Sequence, residues 1–217
     1  MATLRDPDND DIAVCGIRLT DANGLTARSC ARFPGWQTFV TTSLGLNQIA
    51  PRWFPGYILR QWDHEDSRRV DHVIGAYYLV RRQVFEKVGG FDERFFVYLE
   101  DLDLSRRIHA AGWRVLYDAD TAAFHLGGGS SRSILARRLY YSLSSRLQYA
   151  RKHFPITGML WVYLAILIAD PLIRLVRAVA LMRPAEAANV LKAFGMLYAS
   201  LFSRARPAPV QLSRKEH

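Results

Sequence analysis

An α/β fold followed by a helical tail is predicted, and three observations predict it. Ile12–Leu19 is an apolar run of strand type that ends at a turn signal, Asp21-Ala-Asn-Gly24. Val73–Val80, rich in Val, Ile and Tyr, reads as a buried strand. From Leu99 the spacing changes to a helical stripe of Leu99, Leu102, Ile108 and Ala111, with Gly112 placed to cap it. Trp113–Tyr117 and Ala122–His125 then return to short strand patterns.

The other elements follow from simpler signals. Residues 33–69 are rich in Pro, Gly and Trp with little periodicity, so an irregular insertion with one short helix is expected. Gln83–Val88 offers one or two helical turns before Gly89-Gly90 stops them. Gly127–Ser131 reads as a mobile loop, Ser133–His153 as a helix and Ile156–Phe202 as apolar helical segments. Half of the 217 residues are hydrophobic and 12% are aromatic, which excludes wholesale disorder.

Charge divides the chain sharply. Residues 1–131 carry 15 Lys/Arg against 17 Asp/Glu, whereas residues 132–217 carry 14 against 3, so the net +9 belongs to the tail. A basic stretch interleaved with apolar runs suits anionic lipid headgroups better than nucleic acid, and no zinc-finger, RRM-like or basic-zipper pattern is present. Ile156–Ala169 is 14 residues without a charge, short of the ~20 that span a bilayer, and Asp170-Pro171 interrupts it. Interfacial or re-entrant association is therefore expected ahead of a true span, with Arg174 and Arg177 on one face. Two units result: residues 1–153 as the α/β part and 154–217 as a membrane-associating tail. Cys15 and Cys30 form no CxxC, so a reducing compartment is the simplest expectation.

Chemistry concentrates around the second helix start. Glu100, Asp101 and Asp103 occupy its first turn, where backbone N–H groups and the helix dipole favour negative charge. An ionised carboxylate facing a cleft can accept a proton from a substrate hydroxyl. Glu100 and Asp101 are adjacent and so point apart, one able to face substrate while the other secures the turn. Asp103 lies three and four residues before Arg106 and Arg107, which makes local pairing its first reading.

These residues sit in the stretch VDHVIGAYYLVRRQVFEKVGGFDERFFVYLEDLDLSRRIHAAGWRVLYDADTAAFHLGGGSS, Val70–Ser131. It resembles the family-two inverting glycosyltransferases of the GT-A type, in particular bacterial rhamnosyl- and galactofuranosyltransferase-like members. The likeness rests on Gly75-Ala76, the Arg81-Arg82 pair, the GGFDE turn, the E-D-x-D-L helix start, Ala111-Gly112-Trp113, and His125 before glycines. The N-terminal IAVCGIRLTDANG also looks like the strand and turn that follow the donor-binding half.

The resemblance implies a partial GT-A fold carrying the acceptor side and the catalytic base. Asp101 would be that base, with Glu100 beside it, and His125 would help hold a divalent metal, Mn²⁺ or Mg²⁺, on the donor diphosphate. Gly75, Ala76, Asp103 and Trp113 would lie on the acceptor and donor-sugar side. For Gly75-Ala76, close strand packing is the competing reading. Trp113, Phe95 and Tyr98 are either acceptor-site walls or core. The glycines of 127–129 would fold over the donor.

The implied partners are a nucleoside diphosphate sugar, a glycan or lipid-linked acceptor and a membrane surface, at the cytoplasmic face of the membrane. The strand–helix half that carries the Asp-rich metal motif in the family is expected to be missing, and the acidic lead-in Asp6–Asp11 is not its substitute. A fragment, a misassigned start, a split gene product or a degenerate copy would each produce this, and a non-catalytic membrane-associated remnant or partner subunit is the alternative function.

Overall fold

The structure, a computed structural model, describes residues 3–125 and 135–203. Its sheet is mixed. Strand β1 (Ile12–Thr20) lies at the centre, parallel to β6 (Arg114–Phe124) and antiparallel to the short β5 (Leu79–Val80), while β3 (Arg68–Val70) borders β6 on the far side. A second, two-stranded sheet pairs β2 (Cys30–Ala31) with β4 (His72–Val73). Burial of β1 on both faces explains why its sequence is apolar without alternation.

Two strand expectations need correction. Val73–Val80 is not one strand: His72–Val73 belongs to the small sheet, the chain turns at Gly75-Ala76, and Leu79–Val80 joins the main sheet. The Gly75 N–H points across the turn to a side chain of the site, so it cannot enter a ladder. Conversely, Trp113–Tyr117 and Ala122–His125 merge into β6, whose register against β1 jumps between Ile17 and Arg18. Asp118 holds the resulting bulge by accepting from the N–H of Asp120 and the hydroxyl of Thr121.

Helix α4 (Glu100–Ala110) forms the middle layer. Leu104 and Ile108 pack on the sheet with Val14, Val70, Val115 and Tyr117. Leu102 and the preceding Leu99 face the opposite way, into a helical core with Phe39, Leu143, Val162, Ile166 and Phe194. The expected single stripe is thus two faces, and Ala111 is exposed. Gly112 adopts φ +92°, the left-handed turn that ends the helix.

The helical layer comprises α1 (Trp36–Ser43), α2 (Leu46–Ile49), α5 (Leu135–His153), α6 (Ile156–Leu164), α7 (Asp170–Ala180) and α8 (Pro184–Phe202), with α3 (Arg82–Lys87) beside β5. A π-helical segment, Ala165–Ala169, joins α6 to α7, so the helix runs through Asp170-Pro171 without a break. Asp170 is buried and bonded to Arg174 one turn on. Pro171 lies in the first turn of α7, where its missing N–H costs least. Ile156–Ala180 is consequently 25 residues long and contains an 18-residue stretch of mean hydropathy 1.9, long and apolar enough to cross a membrane. A boundary at residue 153 separates two helices but not two cores, because Val162, Ile166 and Phe194 share one core with Phe39 and Leu102.

Candidate active site

The turn before α4 is strained. Tyr98 and Leu99 both take left-handed backbone conformations, φ 67° and 64°, although neither is glycine. Each such residue costs on the order of 1–3 kcal/mol and persists only where its surroundings enforce it. Here burial of Leu99 in the helical core fixes the turn, and the turn aims the first residues of α4 at the Gly75 loop.

Asp101 meets that loop. Its Oδ2 accepts the Gly75 N–H at 2.6 Å and its Oδ1 accepts the Leu102 N–H at 2.8 Å. Two backbone donors leave a carboxylate with acceptor capacity to spare, and its side chain is 18% exposed, into a cleft of about 240 Å³. A Cβ on Gly75 would lie 3.2 Å from Oδ2, so the glycine is what lets the backbone approach the carboxylate. Between the two readings of Gly75, the contact it makes is with Asp101. Ala76 is exposed on the same turn.

Behind Asp101 stands a group of side chains with no obvious signal in the sequence. His72 Nε2 lies 3.7 Å from Oδ2, while its Nδ1 is 2.9 Å from the Ser105 hydroxyl, which is also 2.9 Å from the Tyr78 hydroxyl. Burial drives the His72 pKa down to about 4, against the opposing pull of Asp101 and Asp71, so the ring is neutral at physiological pH. Ser105 lies one helical turn beyond Asp101, a spacing that could have singled it out.

Glu100 also lines the cleft, with Oε2 buried and unpartnered among the described residues. Burial, and secondarily the charge of Asp101, raise its pKa. The turn is thus secured by Asp101 through Leu102 and Gly75, not by its neighbour. Tyr57, Tyr98, Ser142 and Arg146 complete the cleft walls. A larger groove of about 780 Å³ adjoins it across Ile58 but contains no carboxylate.

Other expected site residues lie elsewhere. Asp103 does not face a sugar: its side chain is fully buried and accepts from Arg107 at 2.8 Å, Lys152 at 2.7 Å and His153 at 2.7 Å. Burial opposes its ionisation, but those donors outweigh it and hold the pKa low. Of the two arginines expected to pair with it, Arg106 turns instead to the Tyr149 hydroxyl. Trp113 packs against the sheet core and Phe95 is buried in the helical core, so of the three aromatics Tyr98 alone lines the cleft.

His125 ends β6, its N–H bonded to the Thr20 carbonyl at 2.9 Å. Among the described residues no three His, Cys, Asp or Glu side chains gather to hold a metal ion. One imidazole does not make a site for Mn²⁺ or Mg²⁺, so the described residues do not fit the metal and no step is routed through it. The acidic lead-in forms turns, and Arg81 ties it to β1 by donating to the carbonyls of Leu4 and Ile12. The glycine loop at 127–129 lies outside the described residues.

A carboxylate at a helix start, held open to a cleft beside a mixed sheet, is an arrangement suited to deprotonating a hydroxyl. The model of glycosyl transferase family group 2 matches residues 57–203, and the chain belongs to that family. Its α/β architecture with a helical C-terminal region is GT-A-like. The chain is 45% identical over 74 residues to the N-acetylglucosaminyl-diphospho-decaprenol L-rhamnosyltransferase of Mycobacterium tuberculosis, covering 34% of this chain and 24% of that protein. It is 32% identical over 134 residues to the rhamnosyltransferase WbbL of Escherichia coli, 61% of this chain and 48% of that one. Over 72 residues it is 42% identical to the O-antigen biosynthesis protein RfbC of Myxococcus xanthus, 33% of this chain and 6% of that one. The chain thus spans less than half the length of these curated relatives.

Proposed function

We propose that this chain supplies the acceptor side and the general base of an inverting sugar transfer from a nucleoside diphosphate donor to a lipid-linked or glycan acceptor. The carrying observation is Asp101, whose carboxylate is fixed by Gly75 and Leu102 yet open to the cleft. In this reading an acceptor hydroxyl donates to Asp101 and loses its proton as the oxygen attacks the anomeric carbon, displacing the diphosphate from the opposite face. The relatives' names favour rhamnose as the sugar and a polyprenyl diphosphate-linked acceptor. The donor half of the site is assigned to residues outside those described, in the same or another polypeptide. A divalent cation enters only through the family resemblance, with His125 as at most one of its ligands. The test is Asp101→Asn in a transfer assay with nucleoside diphosphate-rhamnose and a polyprenyl diphosphate-linked acceptor. Loss of a positioned base should lower turnover about 10²–10⁴-fold; near-full transfer by this variant, alongside loss in Glu100→Gln, would reassign the base.

The same reading places the protein at the cytoplasmic face of the membrane. Leu160, Leu164, Ile168, Leu172, Val176 and Val179 recur at three- and four-residue spacing along Ile156–Ala180, all exposed. An apolar face of this length suits hydrocarbon rather than water. Flotation of the full chain with anionic vesicles should carry it to the lipid layer and keep it there at high salt. Release by salt alone would mean a charge-held surface contact and remove the inserted helix from the reading.

A further inference from the structure

Arg146 is the unusual residue of the cleft. It lies on α5 and lines the same cleft as Glu100 and Asp101, its Nη1 is buried, and among the described residues it has no hydrogen bond or ion pair. The opposite charge that acts on it, Asp170, is bonded to Arg174 and makes no ion pair with Arg146 within 4.0 Å. A guanidinium with one nitrogen withdrawn from water and no counterion is costly, and its other nitrogens are left free to meet a ligand. Such a group persists where a ligand supplies the missing anion. Three hydroxyl-bearing side chains line the cleft with it, Tyr57, Tyr98 and Ser142, and burial raises the Tyr57 pKa and keeps that phenol a donor.

We propose that Arg146, Tyr57 and Ser142 form an anion seat that holds the diphosphate of a lipid-linked acceptor while Asp101 takes its hydroxyl proton. The inference rests on the sugar-transfer reading above. Guanidinium is the side chain that meets phosphate oxygens with paired parallel hydrogen bonds. One cleft of about 240 Å³ thus holds a group that suits an anion, Arg146, and one that suits a hydroxyl, Asp101. A sugar joined through its anomeric oxygen to a diphosphate presents both groups on one small ring. The donor's diphosphate is the poorer candidate, because in an inverting displacement the leaving group departs from the face opposite the base. The carrier lipid has a path as well. The charges acting on Arg146 belong to Asp170 and Arg174 of α7, the helix whose exposed face carries Leu172, Val176 and Val179.

Calorimetric titration of the full chain in detergent tests this, with a short-chain prenyl diphosphate sugar and a nucleoside diphosphate as separate probes. Arg146→Met should weaken the prenyl diphosphate sugar at least about tenfold, as loss of charged hydrogen bonds predicts. It should leave the nucleoside diphosphate unchanged and not lower the melting temperature, since it removes an unpaired buried cation. Arg146→Lys, which keeps the charge without the fork, should weaken the same probe a few-fold and covers the case in which the Met variant does not fold. Unchanged acceptor affinity in both variants overturns the seat, and so does a loss confined to the nucleoside diphosphate or a wild-type chain that binds neither probe. Asp101→Asn keeps the Arg146 side of the cleft and tests the base separately, so full transfer by Asp101→Asn would sink the base while leaving the seat intact.

Discussion

Asp101 and Asp103 stand two residues apart on one helix and meet opposite environments. Asp101 looks out at the tip of α4, bonded to backbone N–H groups and opening on a cleft. Asp103 looks inward, between the sheet layer and the helical layer, bonded to Arg107 of α4 and to Lys152 and His153 of α5. The strained turn at Tyr98-Leu99 and the two-faced packing of α4 determine which carboxylate goes where. Identical chemistry thus yields one carboxylate open to a cleft and one fastener. The fastener also reaches the GGFDE turn, since Lys152 bonds both Asp103 and Asp92.

The sharpest way to break this contrast is to remove one charge at a time. Asp103→Asn leaves Arg107, Lys152 and His153 around a neutral amide that cannot match them. Breaking a buried pair from one side costs about 3–5 kcal/mol, and the part exposure of the three partners places the expectation at the lower end. Asp101→Asn should lower stability by no more than about 1 kcal/mol, because a single backbone hydrogen bond is weakened. Denaturant unfolding in detergent reads both. Equal losses in the two variants would mean that Asp101 is as structural as Asp103.

Much of this contrast was legible in the sequence, but not the part that depends on layers. The helix start, its carboxylates and the Gly112 stop follow from local rules, and the helix begins and ends where they place it. That Leu102 and Leu104 belong to different cores does not follow, because a helix buried on two sides shows no clean stripe. For the same reason Asp103 reads as a surface pair with its neighbours, when its partners Lys152 and His153 lie some fifty residues away. Gly75 was visible as a small residue on a strand, but its bond to Asp101 spans 26 residues and no local pattern encodes it. Arg146 was hidden among the many basic residues of the tail, since nothing in composition separates a buried guanidinium from a solvated one. The tail itself was underestimated: Asp170-Pro171 resembles a break, and the π-helical turn before it lets the helix continue.

The smaller effect concerns His72, which separates the cleft from the fastener by its pH dependence. Its pKa falls from an ordinary 6.5 to about 4 in the folded protein, chiefly through burial. The unfolded chain therefore binds a proton at higher pH than the folded one does. Stability from this group is fully present above pH 6.5 and is lost as pH falls from 6.5 towards 4, below which both states are protonated and the loss stops growing. A shift of that size corresponds to about 3 kcal/mol. His64 and His109 are also lowered by burial and add to the loss below pH 6.5. The carboxylates of Asp92 and Asp103, held low by their cations, begin to titrate only at more acid pH, so the two contributions separate. Unfolding free energies measured from pH 7.5 to 4.5 should decline in the wild type, and His72→Gln should flatten that decline whatever its stability at pH 7.5. An undiminished slope in the variant would show that His72 is not the group whose protonation is excluded, and its contact with Asp101 could then be one between charges.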